Sequence, residues 1–478
     1  MALRLLTGRS GSGKTRLILD EIRDRLKRDP EGPPLILLVP EQATFQAEYA
    51  MAATPGLGGF IRAQVLSFRR LAFRVMQETG GLAAVPINEN GKAMLIHKAL
   101  KRRREELKVF RGSASATGLT AKLGELFTEW KRYGTGSERL KELQAAAEGN
   151  SASPLLRDKV HDLALLYEDL ERELEGKWLD GEDALARLAE GAARSELLDG
   201  AEVWLDGFHG FTSNEYAVIA ALLRRASRVT AALCLDRPYG AGERPDELEL
   251  FHPTAETSAR LCELAIAAGA GMEPPVVLDP PVLPRFAGSP VLAHLELSYD
   301  NRLTWKGDPA LLRPEGALSL HAAANRRAEA EAVARDMLRR VREEGGRWRE
   351  MAVFVRRLED YADLLGQVFD DYGIPYFLDG KASAAHHPLV EFVRSALETV
   401  TAGWKSDALF RCAKTDLLQP EDGEIGRDEV DELENYVLAA GIDGWRWQDD
   451  RSWRPLGRGD LEAEDEDEAG GELAMERI

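Results

Sequence analysis

The eight residues GRSGSGKT, Gly8 to Thr15, satisfy the pattern G-x-x-x-x-G-K-[ST] and constrain this chain more than anything else in it. The preceding ALRLLT reads as a short buried strand and the following RLILDEIRDRLKR as an amphipathic helix, which is the setting a phosphate-binding loop needs. Gly8, Gly11 and Gly13 open backbone conformations closed to other residues, so that successive N–H groups can turn toward phosphate oxygens. The whole run Gly8, Arg9, Ser10, Gly11, Ser12, Gly13, Lys14 and Thr15 is therefore the expected nucleotide cradle. Lys14 is expected to reach the β and γ phosphates of ATP and Thr15 to ligate Mg²⁺, with the positive end of the helix dipole facing the anion. A Gly/Ser-rich turn that binds nothing is the competing reading; the agreement of motif, strand and helix argues against it.

A P-loop needs a second half. Strand character returns at AEVWLDGFHGFTSNE, where Val203 to Leu205 are apolar and Asp206 ends the run. An acidic residue in that position holds Mg²⁺ through water, so Thr15 and Asp206 form the expected metal pair. Between the two halves lies far more chain than a minimal P-loop domain needs. From about Asn88 the pattern turns to long helices: NENGKAMLIHKALKRRREEL, TAKLGELFTEWKRYG, and SPLLRDKVHDLALLYEDLERELEG with Leu156, Val160, Leu163, Leu166, Tyr167 and Leu170 at helical spacing. Before that insertion LILLV and QVLSF read as strands, and after Asp206 so does RVTAALCLD. The alternation with helices predicts a parallel sheet covered on its faces.

With roughly 100 to 200 residues per domain, a chain of 478 holds about three. The proline-rich MEPPVVLDPPVLP, Met272 to Pro284, reads as an extended inter-domain connection. A second αβ unit follows: GALSLHAAA as strand, NRRAEAEAVARDMLRRVREEGG as helix, MAVFVR as strand, LEDYADLLGQVFDDYG as helix, then IPYFLDG. The carboxylate run DLEAEDEDEAGGE, Asp460 to Glu472, repels itself and reads as a disordered linker or loop.

At 44% hydrophobic and 30% charged residues the composition is that of a soluble globular protein, and no apolar run approaches the length of a membrane span. The start of the chain leaves no room for a signal peptide, which leads to a cytoplasmic expectation without a membrane partner. The three cysteines, Cys234, Cys262 and Cys412, are widely spaced and propose neither a disulfide framework nor a zinc ribbon. A net charge of −19 argues against a surface that attracts nucleic acid everywhere. Local basic groups remain: Arg69, Arg70 and Arg74; Lys101 to Arg104; and Arg335, Arg339, Arg340 and Arg342, each of which also reads as a solvated helix face. His386 and His387 lack a third ligand at recognisable spacing and read as a surface turn. Met94, Leu95 and Ile96 beside His97 read as helix core.

In serial order, GRSGSGKT, VPEQATFQAE, IRAQVLSFRRLA, VWLDGFHGFTSNE, NRRAEAEAVARDM, MAVFVRRLEDY and IPYFLDGKASAAHHPLVEFVRS resemble the B subunit of the AddAB helicase–nuclease, related to the UvrD-like superfamily-one helicases. The resemblance spans nearly the whole chain. It implies an α/β architecture: a RecA-like P-loop motor domain with a parallel sheet and a helical insertion, followed by the start of a second RecA-like domain. The expected organisation is 1–87 and 197–290 as the two parts of the first RecA-like domain, 88–196 as the helical insertion, 291–315 as a linker, 316–418 as the first half of the second RecA-like domain, and 419–478 as a truncated helical insertion with the acidic segment. It further implies an AddA-type partner in a heterodimer, single-stranded and double-stranded DNA ends as substrates, scanning of single strands for a recombination hotspot, and a role in double-strand break repair. A nuclease domain with a cysteine-bound iron–sulfur cluster is expected beyond Ile478, and no nuclease or other catalytic residue is assigned here.

Two departures from an active motor stand out against that resemblance. Gly207 occupies the place where such motors carry the glutamate that positions the attacking water, so Mg-nucleotide binding is expected to outlast hydrolysis. Glu215 and His209 are the nearby substitutes, although neither has the right offset. At Asp236 to Gly240 no γ-phosphate-sensing glutamine is present; Arg237 is the one candidate for a phosphate contact there. The competing functional reading is thus a catalytically degenerate helicase-fold binding module whose nucleotide is structural or regulatory. A compact small-molecule phosphotransferase is disfavoured by the second αβ unit. Phe45, Phe68 and Trp130 are candidates for stacking on bases, with core packing as the competing role.

Overall fold

The computed structural model describes residues 1–54, 59–81, 84–113, 116–149, 153–312, 317–380, 384–418 and 426–449. The chain divides into two compact units, Met1–Leu320 and His321–Ile478.

The first unit begins with β1 (Ala2–Gly8), α1 (Lys14–Arg28), β2 (Leu35–Leu38), α2 (Thr44–Ala52), β3 (Ala63–Leu66) and α3 (Phe68–Thr79). After a short strand, β4 (Val85–Pro86), come the helices α4 (Glu89–Arg102), α5 (Thr117–Arg132), α6 (Ser137–Gly149) and α7 (Pro154–Leu174). Then follow β5 (Trp178–Leu179), α8 (Gly181–Gly191), β6 (Glu202–Leu205), α9 (Ser213–Arg225), β7 (Arg228–Cys234), α10 (His252–Ala267), β8 (Gly271–Met272), β9 (Val276–Leu278) and α11 (Pro290–Ser298).

Seven strands form one sheet in the order β3-β2-β6-β7-β1-β8, with β9 also paired to β1. Every pairing is parallel. A parallel sheet is covered on both faces, which is why LILL in β2 is apolar at every position and buried at every position. One face packs on Leu71, Val75, Leu188, Val218 and Leu222, the other on Ile18, Ile22 and Met51. Trp204, fully buried in β6, donates its indole N–H to Glu21 at 3.1 Å, so the one polar atom it brings into that layer is satisfied.

The chain leaves β1 for β2 on one side of the sheet and leaves β7 for β8 and β9 on the other. That reversal lies at the carboxyl end of β1, where open α/β sheets form their binding crevice. The segment read as a proline-rich connection differs from expectation: Val276–Leu278 joins the sheet, pairing Leu278 with Gly8. The prolines bracket a three-residue strand rather than preventing it, since that strand needs only one partner at the sheet edge.

Helices α4, α5, α6 and α7 share a separate core around Ile96, Leu100, Phe127, Leu166, Tyr167 and Leu170. Two buried aspartates on α7 tie it together. Asp162 accepts backbone N–H bonds from Lys108, Val109 and Phe110 at 2.8–3.1 Å. Asp169 receives the guanidinium groups of Arg102, Arg103 and Arg172. Helix α8 instead places Ala184, Leu185 and Leu188 in the core beneath the sheet.

The second unit contains α12 (Arg326–Glu343), α13 (Ala362–Asp371), α14 (Pro388–Thr401), α15 (Ser406–Ala413) and α16 (Arg427–Ala440). The helices expected in its αβ pattern are present, and Ala330, Ala334, Leu365, Val368 and Phe369 join α12 to α13. The strands expected at GALSLHAAA, MAVFVR and IPYFLDG are not: Gly316 lies outside the described residues, and among the described residues from Ala317 onward no segment is paired into a sheet. A strand pattern needs a neighbour to donate and accept its backbone bonds, and here Phe354 and Phe377 remain 93% and 88% exposed. The acidic run at 460–472 lies outside the described residues.

Candidate functional site

The carboxyl end of β1 runs directly into the loop. Gly8 closes the strand between two neighbours: a Cβ there would stand 2.6 Å from the carbonyl oxygen of Leu278 and 2.6 Å from Ser12 Oγ. Gly13 sits at the start of α1 with φ of 100°, in the left-handed region, and opens onto free space. No side chain caps α1 and no acidic residue lies in its first turn, so its leading N–H groups and the positive end of its dipole remain available to an anion. Ser12 and Thr7 carry buried hydroxyl oxygens without a hydrogen-bond partner.

Lys14 folds back onto the loop, donating to the carbonyls of Gly8 at 2.6 Å and Arg9 at 3.0 Å. Burial holds its ammonium below the ordinary lysine value, while the carboxylate of Asp206 pulls the other way. Asp206, at the end of β6 and 8% exposed, has the Thr15 side chain and the Gly207 N–H near enough to its carboxyl to draw its pKa down. Burial pushes its carboxyl above the ordinary aspartate value, and those neighbours together with the Lys14 charge offset only part of the rise. The structure therefore brings the Gly8–Thr15 loop, Lys14, Thr15 and Asp206 into one site, with β7 lying between the strand of the loop and the strand of the carboxylate.

This constellation fits a Mg-nucleotide on grounds of its own. The uncapped helix start, the orphaned Ser12 hydroxyl, the open space over Gly13 and the Thr15 side chain beside a carboxylate are what a phosphate chain with a hard cation would satisfy.

The neighbouring positions are less accommodating. Gly207 has φ of 81°, and a Cβ there would lie 3.3 Å from Pro40 Cδ. Glu215 is used as a helix cap: its carboxylate accepts the Thr212 N–H at 2.8 Å while its own N–H donates to Thr212 Oγ1. Arg237 pairs with Glu243 at 2.6 Å and lies over the Tyr239 ring at 3.9 Å. Sequence reasoning missed the segment that covers the loop: Arg285 and Phe286 stand against Gly11, and Glu296 on α11 reaches Ser10 and Arg9. No local signal marks these residues, because the pairing of β9 with β1 is what carries them there.

The three aromatic candidates separate. Phe68 is buried against Phe208 and Phe211, and Trp130 packs on Phe127 and Tyr167. Phe45 is 73% exposed and stacks with Tyr49 at 6.3 Å beside the edge strand β3. An open groove of about 400 Å³ runs past both, lined also by Phe60, Val65 and Arg74. In the basic run at the end of α4, Arg102 and Arg103 are consumed by Asp169, Glu173 and Glu106. Arg339 and Arg340 are likewise paired, with Asp336 and Glu344. His387 caps α14 by accepting the Leu389 N–H. Among the described residues no group of three or more His, Cys, Asp or Glu side chains is placed to hold a metal ion, and no helix is long and apolar enough to cross a membrane.

Comparison with known proteins agrees on one family. The model of the family described as ADDB, N-terminal, matches residues 5–296. The chain is 50% identical over 455 residues to the B subunit of the ATP-dependent helicase/deoxyribonuclease of Desulforudis audaxviator, an alignment covering 95% of this chain and 38% of that protein. The proteins of the same name from Geobacillus thermodenitrificans and Bacillus velezensis are 47% identical over 460 residues and 44% identical over 456. Those alignments cover 95% and 94% of this chain, and 39% and 38% of the respective relatives. The chain thus spans under two fifths of the length of these curated relatives.

Proposed function

Since the chain belongs to the ADDB N-terminal family, we propose that it is the nucleotide-binding and DNA-contacting part of the B subunit of an ATP-dependent helicase/deoxyribonuclease. The observation that carries this reading is the Gly8–Thr15 loop, which runs off β1 into the uncapped start of α1, with the Asp206 carboxyl set beside Lys14 and Thr15 at the carboxyl edge of a parallel sheet. In this reading the sheet is the RecA-like domain of a DNA motor. The loop N–H groups and Lys14 hold the triphosphate of ATP, while Thr15 and Asp206 hold Mg²⁺. Bound Mg-ATP would supply a phosphoanhydride whose occupancy reports on the state of the subunit. The residues of the chain bind and orient it.

Hydrolysis by this chain is slow in this reading. Gly207 brings no carboxylate to the water position, Glu215 is committed to capping α9, and Arg237 is committed to Glu243. The nucleotide then serves a structural or regulatory role, and an AddA-type partner supplies most of the motor power in a cytoplasmic heterodimer that processes double-strand DNA ends for recombinational repair. Single-stranded DNA, scanned for a hotspot sequence, lies along the groove at Phe45 and Tyr49, where each stacked base is worth about 1–3 kcal/mol. The iron–sulfur cluster and the nuclease belong to the part of the family's length that this chain does not span.

The test is a fluorescent-ATP titration of the chain with Mg²⁺, with turnover measured on the same sample with and without single-stranded DNA. Binding with negligible turnover, lost in Lys14→Ala, is expected. Unchanged affinity in Lys14→Ala overturns the site assignment, and DNA-stimulated turnover overturns the regulatory role.

A further inference from the structure

The loop that is ready for an anion already holds one. Glu296, near the end of α11, accepts the backbone N–H of Ser10 at 3.0 Å, and its carboxylate lies 3.4 Å from Arg9 Nε. The same residue's carbonyl oxygen takes Arg9 Nη2 at 2.7 Å, which satisfies one of the carbonyls that the last turn of a helix leaves without an internal partner. Both side chains are largely buried by the contact, and the Arg9 guanidinium also lies over the Phe251 ring at 5.1 Å. Ahead of α11, the turn Pro284–Phe286 is pressed onto the loop: the Arg285 N–H donates to the Gly11 carbonyl at 3.2 Å. A Cβ on Gly11, whose φ is 78°, would stand 2.9 Å from Arg285 Cβ and 3.0 Å from the Phe286 ring.

We propose that Glu296 is an internal phosphate surrogate, and that α11 is a latch which a bound nucleotide must displace from the P-loop. This rests on the reading of Gly8–Thr15 as a nucleotide site. A triphosphate in the cradle places negative charge where a carboxylate now takes a loop N–H and a loop arginine; the two anions compete for the same donors and repel each other. The latch is built to release. Of the nine residues of α11 only Val291 and Ser298 are buried, while Leu295 and Leu297 are exposed, so little apolar area is lost when its last turn moves. The turn at Pro284–Phe286 stays anchored through Leu283, which is buried, and acts as the fixed end. Nucleotide occupancy thereby becomes a position of α11, and the apparent affinity is reduced by the fraction of molecules in which the latch is closed.

The experiment is the Mg-nucleotide titration on the whole chain, using a fluorescent ATP, for the unsubstituted protein, Glu296→Ala, Glu296→Gln and Lys14→Ala, with thermal melts of each apo protein. Glu296→Ala is expected to bind about ten-fold more tightly, Glu296→Gln to fall between, and the nucleotide-free melt of both to drop slightly as the latch contact is lost. Glu296→Gln guards against a folding defect, since it keeps the size and one acceptor of the side chain. Equal affinity in all three proteins that retain Lys14, with binding lost in Lys14→Ala, overturns the latch and leaves the nucleotide site standing. Weaker binding in Glu296→Ala overturns it as well and makes Glu296 a direct ligand of the bound complex. Absence of binding in every variant brings down both readings together.

Discussion

In the proposed reading Gly207 stands where a motor would carry its water-positioning glutamate, and its backbone makes a specific prediction about putting one back. The φ of 81° places the residue in the left-handed region, where an L side chain costs about 1–2 kcal/mol. The new Cβ would also lie 3.3 Å from Pro40 Cδ, a ring atom with no rotamer to escape into, which brings the total to roughly 1–3 kcal/mol. For a unit of this size that corresponds to a melting temperature lowered by about 2–6 °C. Gly207→Ala and Gly207→Glu should lose that amount alike, because the penalty belongs to the backbone and to Cβ rather than to the carboxylate. Calorimetry of both variants measures it. Phosphate release with single-stranded DNA should remain at the unsubstituted level in Gly207→Glu, because the left-handed backbone aims the side chain differently from a residue continuing an extended strand. A Gly207→Ala melt within about 1 °C of the unsubstituted protein, or DNA-stimulated turnover in Gly207→Glu, would refute the reasoning.

Two further outcomes follow from buried charges. Asp162→Ala leaves the N–H groups of Lys108, Val109 and Phe110 without their acceptor and should cost about 2–4 kcal/mol in denaturant unfolding, with faster amide exchange at those three positions; a loss under about 1 kcal/mol would show that water replaces the carboxylate freely. Mg-nucleotide affinity should be confined on both sides of pH. Asp206 must be ionised to hold Mg²⁺ and its carboxyl is raised, so affinity falls on acidification at a pH above the ordinary aspartate range. Lys14 must be charged and is lowered, so affinity falls on the alkaline side before the ordinary lysine range. Titrations across pH check this, and an acid limb that persists unchanged in Asp206→Asn would contradict the assignment.

What the sequence discloses about this site depends on how far apart the cooperating residues are. The loop at Gly8–Thr15 is legible because its strand, glycines and helix start are contiguous, and Asp206 is legible because an acidic residue closes an apolar run. The identity of Gly207 is readable as an absence, but its left-handed φ is not, and that φ turns a missing side chain into a position that resists one. Phe68 and Trp130 are indistinguishable from Phe45 as stacking candidates in sequence, since their packing is decided by Phe208 and Tyr167 arriving from elsewhere in the chain. The unpaired segments of the second unit show the converse: the apolar runs in MAVFVR and IPYFLDG encode what those residues are patterned to bury, and pairing requires a neighbour that the described residues do not offer. Glu296 combines both difficulties. It lies in an unremarkable helix, and only the register of Leu278 against Gly8 delivers that helix to the loop. A phosphate motif can therefore be complete in sequence while access to it is governed by a carboxylate nearly three hundred residues away, and a binding measurement on the unsubstituted chain reports the loop and its latch together.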